Sequence, residues 1–332
     1  MNTGALNAKS KSHCPKWTLP VANELVRVQE TIESVTNSSV EIATQISSYV
    51  LAAGGKRIRP CLVLLSVGAC GGEVNAERVI RMAAAAELIH TASLLHDDVI
   101  DSAGARRGVC TANALWGNTL SVLGGDFLLS KAFYLLGDLV ESEIISLLSN
   151  AAVAMTESEL LQTSCENNID SWRSEYWHII RGKTASLMSA CCESGAILSQ
   201  ASKDAQLALR NYGDSLGLAF QITDDLLDII GNPAQTGKQV GSDLVNGKFT
   251  LPVLIASTRD SFPFCFLTGE KISPELAQQI AKFVVECGAA EEAKRIAEKI
   301  AQHACQSLAV LEDSTYRQAL ELLATSVVVR EF

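Results

Sequence analysis

From Ala22 to the C-terminus, apolar residues recur at three- and four-residue spacings almost without interruption. That period belongs to helices burying one stripe, and no segment alternates long enough to build a sheet. The chain is therefore expected to be all-α, a single-domain antiparallel helical bundle. Helices are expected at 22–35, 38–53, 59–70, 76–99, 110–123, 125–137 and 141–165. Further ones are expected at 170–200, 203–231, 248–258, 273–287, 289–312 and 314–328. Breaks fall at Gly54-Gly55, Gly71-Gly72, 102–109, Gly124-Gly125 and 231–247, and 259–272 reads as a mobile surface loop. Pro252 sits near a helix start, where its missing N–H costs little. Residues 1–21 read as a flexible leader and 22–332 as the helical domain.

Composition bounds the function classes. Hydrophobic residues make up 48% of the 332, enough to bury a large core and too many for disorder. The net charge is -10 with no basic block, which argues against nucleic acid as a partner. Polyanions could bind only where cations converge or a metal intervenes. The ten cysteines contain no Cys-x-x-Cys pair, and Cys191 and Cys192 are adjacent, so they read as small buried residues in a reducing compartment. No uninterrupted apolar run reaches the roughly 18 residues that span a bilayer, so no transmembrane segment is expected. Lys9, Lys11 and Lys16 precede the first acidic residue, Glu24, among Ser and Asn. A disordered leader on a cytoplasmic protein is the favoured reading, and a trimmed organellar presequence is the other.

The chemistry is concentrated in two acidic clusters. In the stretch ELIHTASLLHDDVIDSAGARRG, Asp97 and Asp101 are four apart and share a helix face, with Asp98 beside them. Carboxylates one turn apart repel unless a cation lies between them, and oxygen-only ligands suit Mg²⁺. One such cluster reads equally well as a solvated acidic helix end. Asp224, Asp225 and Asp228 repeat the spacing inside QITDDLLDIIG, among apolar neighbours where bare carboxylates would be costly. Two such helices facing each other across a cavity would make a metal cage open to a diphosphate. Cations surround both clusters in sequence: Arg106-Arg107, the Lys56, Arg57 and Arg59 of GGKRIRP, Lys183-Thr184, and Lys238 and Lys248. Guanidinium forks and helix starts both suit phosphate oxygens.

These segments, GGKRIRP, LLHDDVID, RRG, GGDFLLS, GKTASL, QITDDLLDIIG and GSDLVNGKFTLP, resemble those of the trans-type polyprenyl diphosphate synthases, in the correct order over roughly residues 40–255. The resemblance implies an isoprenoid-synthase helical bundle around a central apolar cavity, and a homodimer. It implies head-to-tail condensation of an allylic diphosphate with isopentenyl diphosphate, with three Mg²⁺ per active site. By that likeness Asp97 and Asp101 hold two ions with Asp98 in support, and Asp224 holds the third with Asp225 and Asp228 nearby. Arg106, Lys183, Thr184, Gln221, Lys238 and Lys248 would bind the allylic diphosphate; Lys56, Arg59, His90 and Arg107 would bind the isopentenyl diphosphate. His96 reads as structural. The stretch MTESELLQ at 155–162 departs from relatives that carry glycine before the glutamate, which bears on local helix packing.

Product length follows from the helix leading into Asp97. Ala92 and Ser93 lie one turn upstream, and Ala85 and Ala86 lie deeper. A helical turn rises about 5.4 Å, close to one isoprene unit, so small residues leave room for growth. The product is expected to exceed twenty carbons, with a tunnel floor at Phe133 or Leu136, although alanines there would also serve close helix packing. Two other readings compete. A class I terpene cyclase or head-to-head condensing enzyme would not consume isopentenyl diphosphate. A non-catalytic partner subunit would show no turnover alone.

Overall fold

The computed structural model describes residues 15–106, 108–137, 141–231, 240–259, 262 and 271–329. A 3-10 turn, Lys16–Val21, leads into α1 (Ala22–Thr36), α2 (Glu41–Ala52), α3 (Ile58–Ala69) and α4 (Glu77–Ile100). A short antiparallel hairpin pairs β1 (Ala105–Arg106) with β2 (Val109–Cys110). Then follow α5 (Ala112–Trp116), α6 (Asn118–Gly137), α7 (Ser142–Ser164) and α8 (Ile169–Ile180). After a π-turn at Arg181–Ala185 come α9 (Ser186–Leu198), α10 (Lys203–Ile230), α11 (Ser242–Val245) and α12 (Leu251–Ala256). The chain closes with α13 (Pro274–Glu286), α14 (Ala289–Ser307) and α15 (Thr315–Val328). The fold is all-α, as the apolar period requires.

Side-chain caps mark several starts. Asn168 accepts from the N–H groups of Asp170 and Ser171, and Ser202, Ser273 and Ser314 each accept from the residue three further on. Two helices organise the bundle. Every residue of α4 from Met82 to Ile89 is buried, so this stretch is enclosed on all sides, and the helix packs on α1, α3 and α6. The long α10 packs on α9 and α14 and contributes to two apolar cores. One core gathers α3, α4, α6 and α9; the other gathers α8, α12, α13 and α14.

Four departures from the helical expectation have physical causes. Gly124-Gly125 does not break a helix but lies inside α6, where a Cβ on Gly125 would stand 2.3 Å from His96 Nε2 and one on Gly124 2.8 Å from Ile46. These glycines serve close helix approach, and His96 bridges the contact to the Val122 carbonyl at 3.2 Å. The helix expected over 170–200 is interrupted by the π-turn. Packing also starts before residue 22, because Trp17 and Val21 are buried in the core; residues 1–14 lie outside the described residues, as does most of 259–272. Finally, averaged over eighteen residues, α6 and α7 are each long and apolar enough to cross a bilayer by length and composition alone. The count of uninterrupted apolar runs passes over them because single polar residues divide them.

Candidate active site

The last turn of α4 sends its three aspartates two ways, since neighbours on a helix point about 100° apart. Asp97 and Asp101 line a cavity of about 1100 Å³, whereas Asp98 is buried, only 5% exposed, and accepts from Arg106 Nε at 2.7 Å. A helix C-terminus is the wrong end for carboxylates, so cations matter here. Lys248 Nζ donates to Asp101 Oδ1 at 2.9 Å. Lys183 Nζ lies 2.5 Å from Glu159 Oε2, 3.5 Å from Gln162 Oε1 and 4.0 Å from Asp97 Oδ2. Burial raises the Asp97 carboxyl to about 6; Lys183 and Arg106 oppose the rise, and the charges of Glu159 and Asp101 add to it. Burial works against the Lys248 ammonium, but the carboxylates of Asp101, Asp243 and Glu159 together outweigh it and hold that lysine above its ordinary value.

The last turns of α10 bring the second triplet to the same cavity, where Asp224, Asp225 and Asp228 all line the wall. Asp225 accepts from the Tyr176 hydroxyl at 2.6 Å and from Gln221 Nε2 at 3.0 Å. The Thr184 hydroxyl donates to Gln221 Oε1 at 2.7 Å. Adjacent residues of the π-turn thus serve both triplets: Lys183 lies beside Asp97, and Thr184 bonds the Gln221 that holds Asp225. Burial raises Asp225 to about 8, against the hydrogen bonds from Tyr176 and Gln221 and with the charges of Asp243 and Asp224. The buried Tyr176 phenol is pushed well above its usual value by burial and by Asp225. Asp228 is held by the Ser242 hydroxyl and by the Asp243 N–H at 3.1 Å.

Lys56, Arg59, His90, Ser93, Arg106, Lys183, Gln221 and Lys248 also line this cavity. Thr184 is buried behind it and reaches it through Gln221. Arg107 and Lys238 lie outside the described residues. Ser93 is on the wall, its hydroxyl donating to the His90 carbonyl at 2.9 Å, while Ala92 is buried in the core. Neither Phe133, half exposed on α6, nor Leu136, buried in the core, lines this cavity. Apolar wall is supplied by Ile58, Leu94, Trp172, Ile179, Ile180 and Phe220.

The donor set fits a hard divalent cation. It is all carboxylate oxygen facing the cavity from two helices, with Asp97 and Asp225 raised in pKa chiefly by burial. Among the described residues no three His, Cys, Asp or Glu side chains converge on one point. An ion here would need oxygens from elsewhere, which is the habit of Mg²⁺ shared between carboxylates, water and phosphate.

The polyprenyl synthetase family matches residues 40–263, a span that holds every one of these wall residues. The chain belongs to that family. Its similarity to an octaprenyl diphosphate synthase of Escherichia coli is 38% identity, covering 93% of this chain and 97% of that one. A decaprenyl diphosphate synthase from Rhodobacter capsulatus superposes with a TM-score of 0.88 at 36% identity, over 95% of this chain and 99% of that one. A polyprenyl synthase from Caulobacter crescentus, solved with calcium and isoprenyl diphosphate, gives a TM-score of 0.90 at 32% identity, over 97% and 99%. As a member of the polyprenyl synthetase family the chain is a prenyltransferase.

Several wall residues of this polyprenyl synthetase family member carry no mark in the sequence. Tyr176, with Trp172, Ile179 and Ile180, follows an i, i+4, i+7, i+8 stripe that reads as ordinary core. Glu159, which meets Lys183 from behind the wall, sits in the MTESELLQ stretch, and only the fold brings the two together. That stretch has its own accommodation. Ser158 is buried against Gly182 in the π-turn, where an added Cβ would stand 1.7 Å from Ser158 Oγ and 2.7 Å from the Ala154 carbonyl oxygen. Gly182→Ala should therefore lower stability by roughly 1–3 kcal/mol, read as a fall in Tm. Adding Ser158→Gly should recover part of the loss but not all, because the carbonyl clash remains.

Proposed function

We propose that this cavity joins isopentenyl diphosphate head to tail to an allylic diphosphate and releases prenyl diphosphates longer than twenty carbons. One observation carries the reading: Asp97 and Asp101, the whole second aspartate triplet, the GGKRIRP cations and an apolar wall share a single cavity. In this reading Asp97 and Asp101 hold two Mg²⁺, with Asp98 behind them, and Asp224 holds a third, with Asp225 and Asp228 in support. Magnesium, when bound, neutralises the allylic diphosphate and makes it a better leaving group.

The protein's own groups do the rest. Lys183, Lys248, Arg106 and Gln221, with Lys238, grip the allylic diphosphate, and Thr184 orients Gln221. Charge that builds on the departing oxygens is met by these fixed donors. The carbon–oxygen bond breaks with its electron pair on the diphosphate, and the apolar wall keeps water from the allylic cation. Lys56, Arg59, His90 and Arg107 hold isopentenyl diphosphate so that its double bond forms the new carbon–carbon bond. The proton lost in restoring an allylic double bond goes to the released diphosphate. The direct test is incubation of the purified chain with Mg²⁺, labelled isopentenyl diphosphate and each short allylic starter. Products shorter than twenty carbons, or no consumption of isopentenyl diphosphate, would overturn the reading.

We further propose a homodimer through α6 and α7, working in the cytoplasm, or in an organelle where the stretch ahead of the buried Trp17 serves as a presequence. Leu123, Phe133 and Tyr134 on α6 and Val153 and Leu160 on α7 are large apolar side chains left exposed. Such side chains favour a protein partner over water. Light scattering should return twice the mass of the chain, and Leu160→Asp should return the mass of one. Binding of the wild-type chain to lipid vesicles with no dimer in solution would assign these helices to a membrane instead.

A further inference from the structure

The GGKRIRP turn contains a residue, Arg57, that borders the cavity but spends its guanidinium on protein acceptors. Arg57 opens α3 at φ 48° and ψ 42°, the left-handed region that residues with side chains seldom occupy. Its guanidinium is pinned three ways. Nη1 donates to Glu87 Oε1 at 2.7 Å, and Nη2 donates to Gln29 Oε1 at 2.9 Å and to the Leu51 carbonyl at 3.0 Å. Those acceptors belong to α4, α1 and α2, so one side chain ties the turn to three helices.

Glu87 is 5% exposed. A carboxylate that deep resists losing its partner, because it would be left desolvated and uncompensated, so the pair fixes geometry as well as charge. Lys56 and Arg59 stand on either side of Arg57 in sequence, and all three line the cavity, as do Glu87 and, three residues beyond it on α4, His90. The left-handed bend and the clamp together set where Lys56, Arg59 and His90 lie. A residue so placed is retained against its backbone cost only where the surroundings over-determine it.

We propose that Arg57, anchored by Glu87, is the positioning residue of the isopentenyl diphosphate site, clamping the turn so that Lys56 and Arg59 are preset for that diphosphate. This rests on the assignment of those two cations to isopentenyl diphosphate. Arg57 acts through its neighbours, so its loss should weaken one substrate and spare the other.

The test measures kcat, the KM of each substrate and Tm for Arg57→Met, Glu87→Gln and Arg57→Lys, beside Lys56→Gln as a probe of the site itself. Arg57→Met and Glu87→Gln should each raise the KM for isopentenyl diphosphate by about tenfold or more and leave the allylic KM within about twofold. Arg57→Lys should recover part of that loss, since it keeps the charge but cannot reach three acceptors at once. Equal rises in both KM values, or a fall in Tm with neither KM changed, would reduce the clamp to general stability and overturn the proposal. If Lys56→Gln raises the KM for isopentenyl diphosphate while Arg57→Met and Glu87→Gln do not, the clamp is wrong and the site assignment stands. If Lys56→Gln has no effect, the site assignment falls and takes the clamp with it. Should Arg57→Met fail to fold, Glu87→Gln carries the same comparison.

Discussion

Asp97→Asn should cut kcat by about three orders of magnitude while making the metal-free protein more stable at pH 8. The first half follows from position. Asp97 faces both the cavity and the Lys183 ammonium; on the function proposed above, its loss removes a metal ligand and unbalances the cation that meets the departing diphosphate. Removing one preorganised group of this kind typically costs 10²–10³-fold or more in rate. The second half follows from the sign of its titration. Burial raises the folded-state carboxyl to about 6 from 3.8, so the folded protein binds that proton more tightly than the unfolded chain does. The ionised form therefore costs stability above pH 6, and that cost vanishes as pH falls below the unfolded value. Asparagine removes the charge, so in the presence of EDTA the variant should melt a few degrees higher than wild type at pH 8, with the gap closing towards pH 4. Rate assays with labelled isopentenyl diphosphate and calorimetry at the two pH values check both halves. A variant that is inactive and also less stable at pH 8 would mean that Asp97 serves packing and not a cation.

Ser93→Phe should shorten the product by several isoprene units with only a modest change in the rate of the first condensation. Ser93 lies on the cavity wall one turn before Asp97, and its hydroxyl is spent on the His90 carbonyl. The ring would project where the growing chain must pass, beyond the reacting carbons. One turn of helix rises about 5.4 Å, so a plug at this height leaves room for only the first additions. Thin-layer chromatography of the labelled products, dephosphorylated and set against prenyl alcohol standards, reads the outcome directly. An unchanged product length would remove α4 from the tunnel wall. With Phe133 on the surface and Leu136 inside the core, the floor of the tunnel must then be sought elsewhere on the wall.

Much of this molecule was legible before its structure. The all-α class and most of the helix positions follow from apolar period, because burying one stripe of a helix is a local demand written every three or four residues. The pairing of Asp97 with Asp101 and of Asp224 with Asp228 is likewise local, being one helical turn. What the sequence could not decide was everything that depends on which elements meet. Gly124-Gly125 reads as a break by composition, and only the approach of His96 and Ile46 reveals two glycines inside a continuous helix. Lys248 meets Asp101 across 147 residues, and Tyr176 meets Asp225 across 49, separations at which no spacing rule operates. The π-turn at Arg181–Ala185 carries Lys183 beside Glu159 and Gly182 against Ser158, both partners on another helix and out of reach of any local rule. Local periodicity thus determined the helices and the acidic turns at their ends. Their convergence on one cavity, and the turning of Asp98 away from it, were decided by packing, since a side chain's partners are set by neighbours in space and not along the chain.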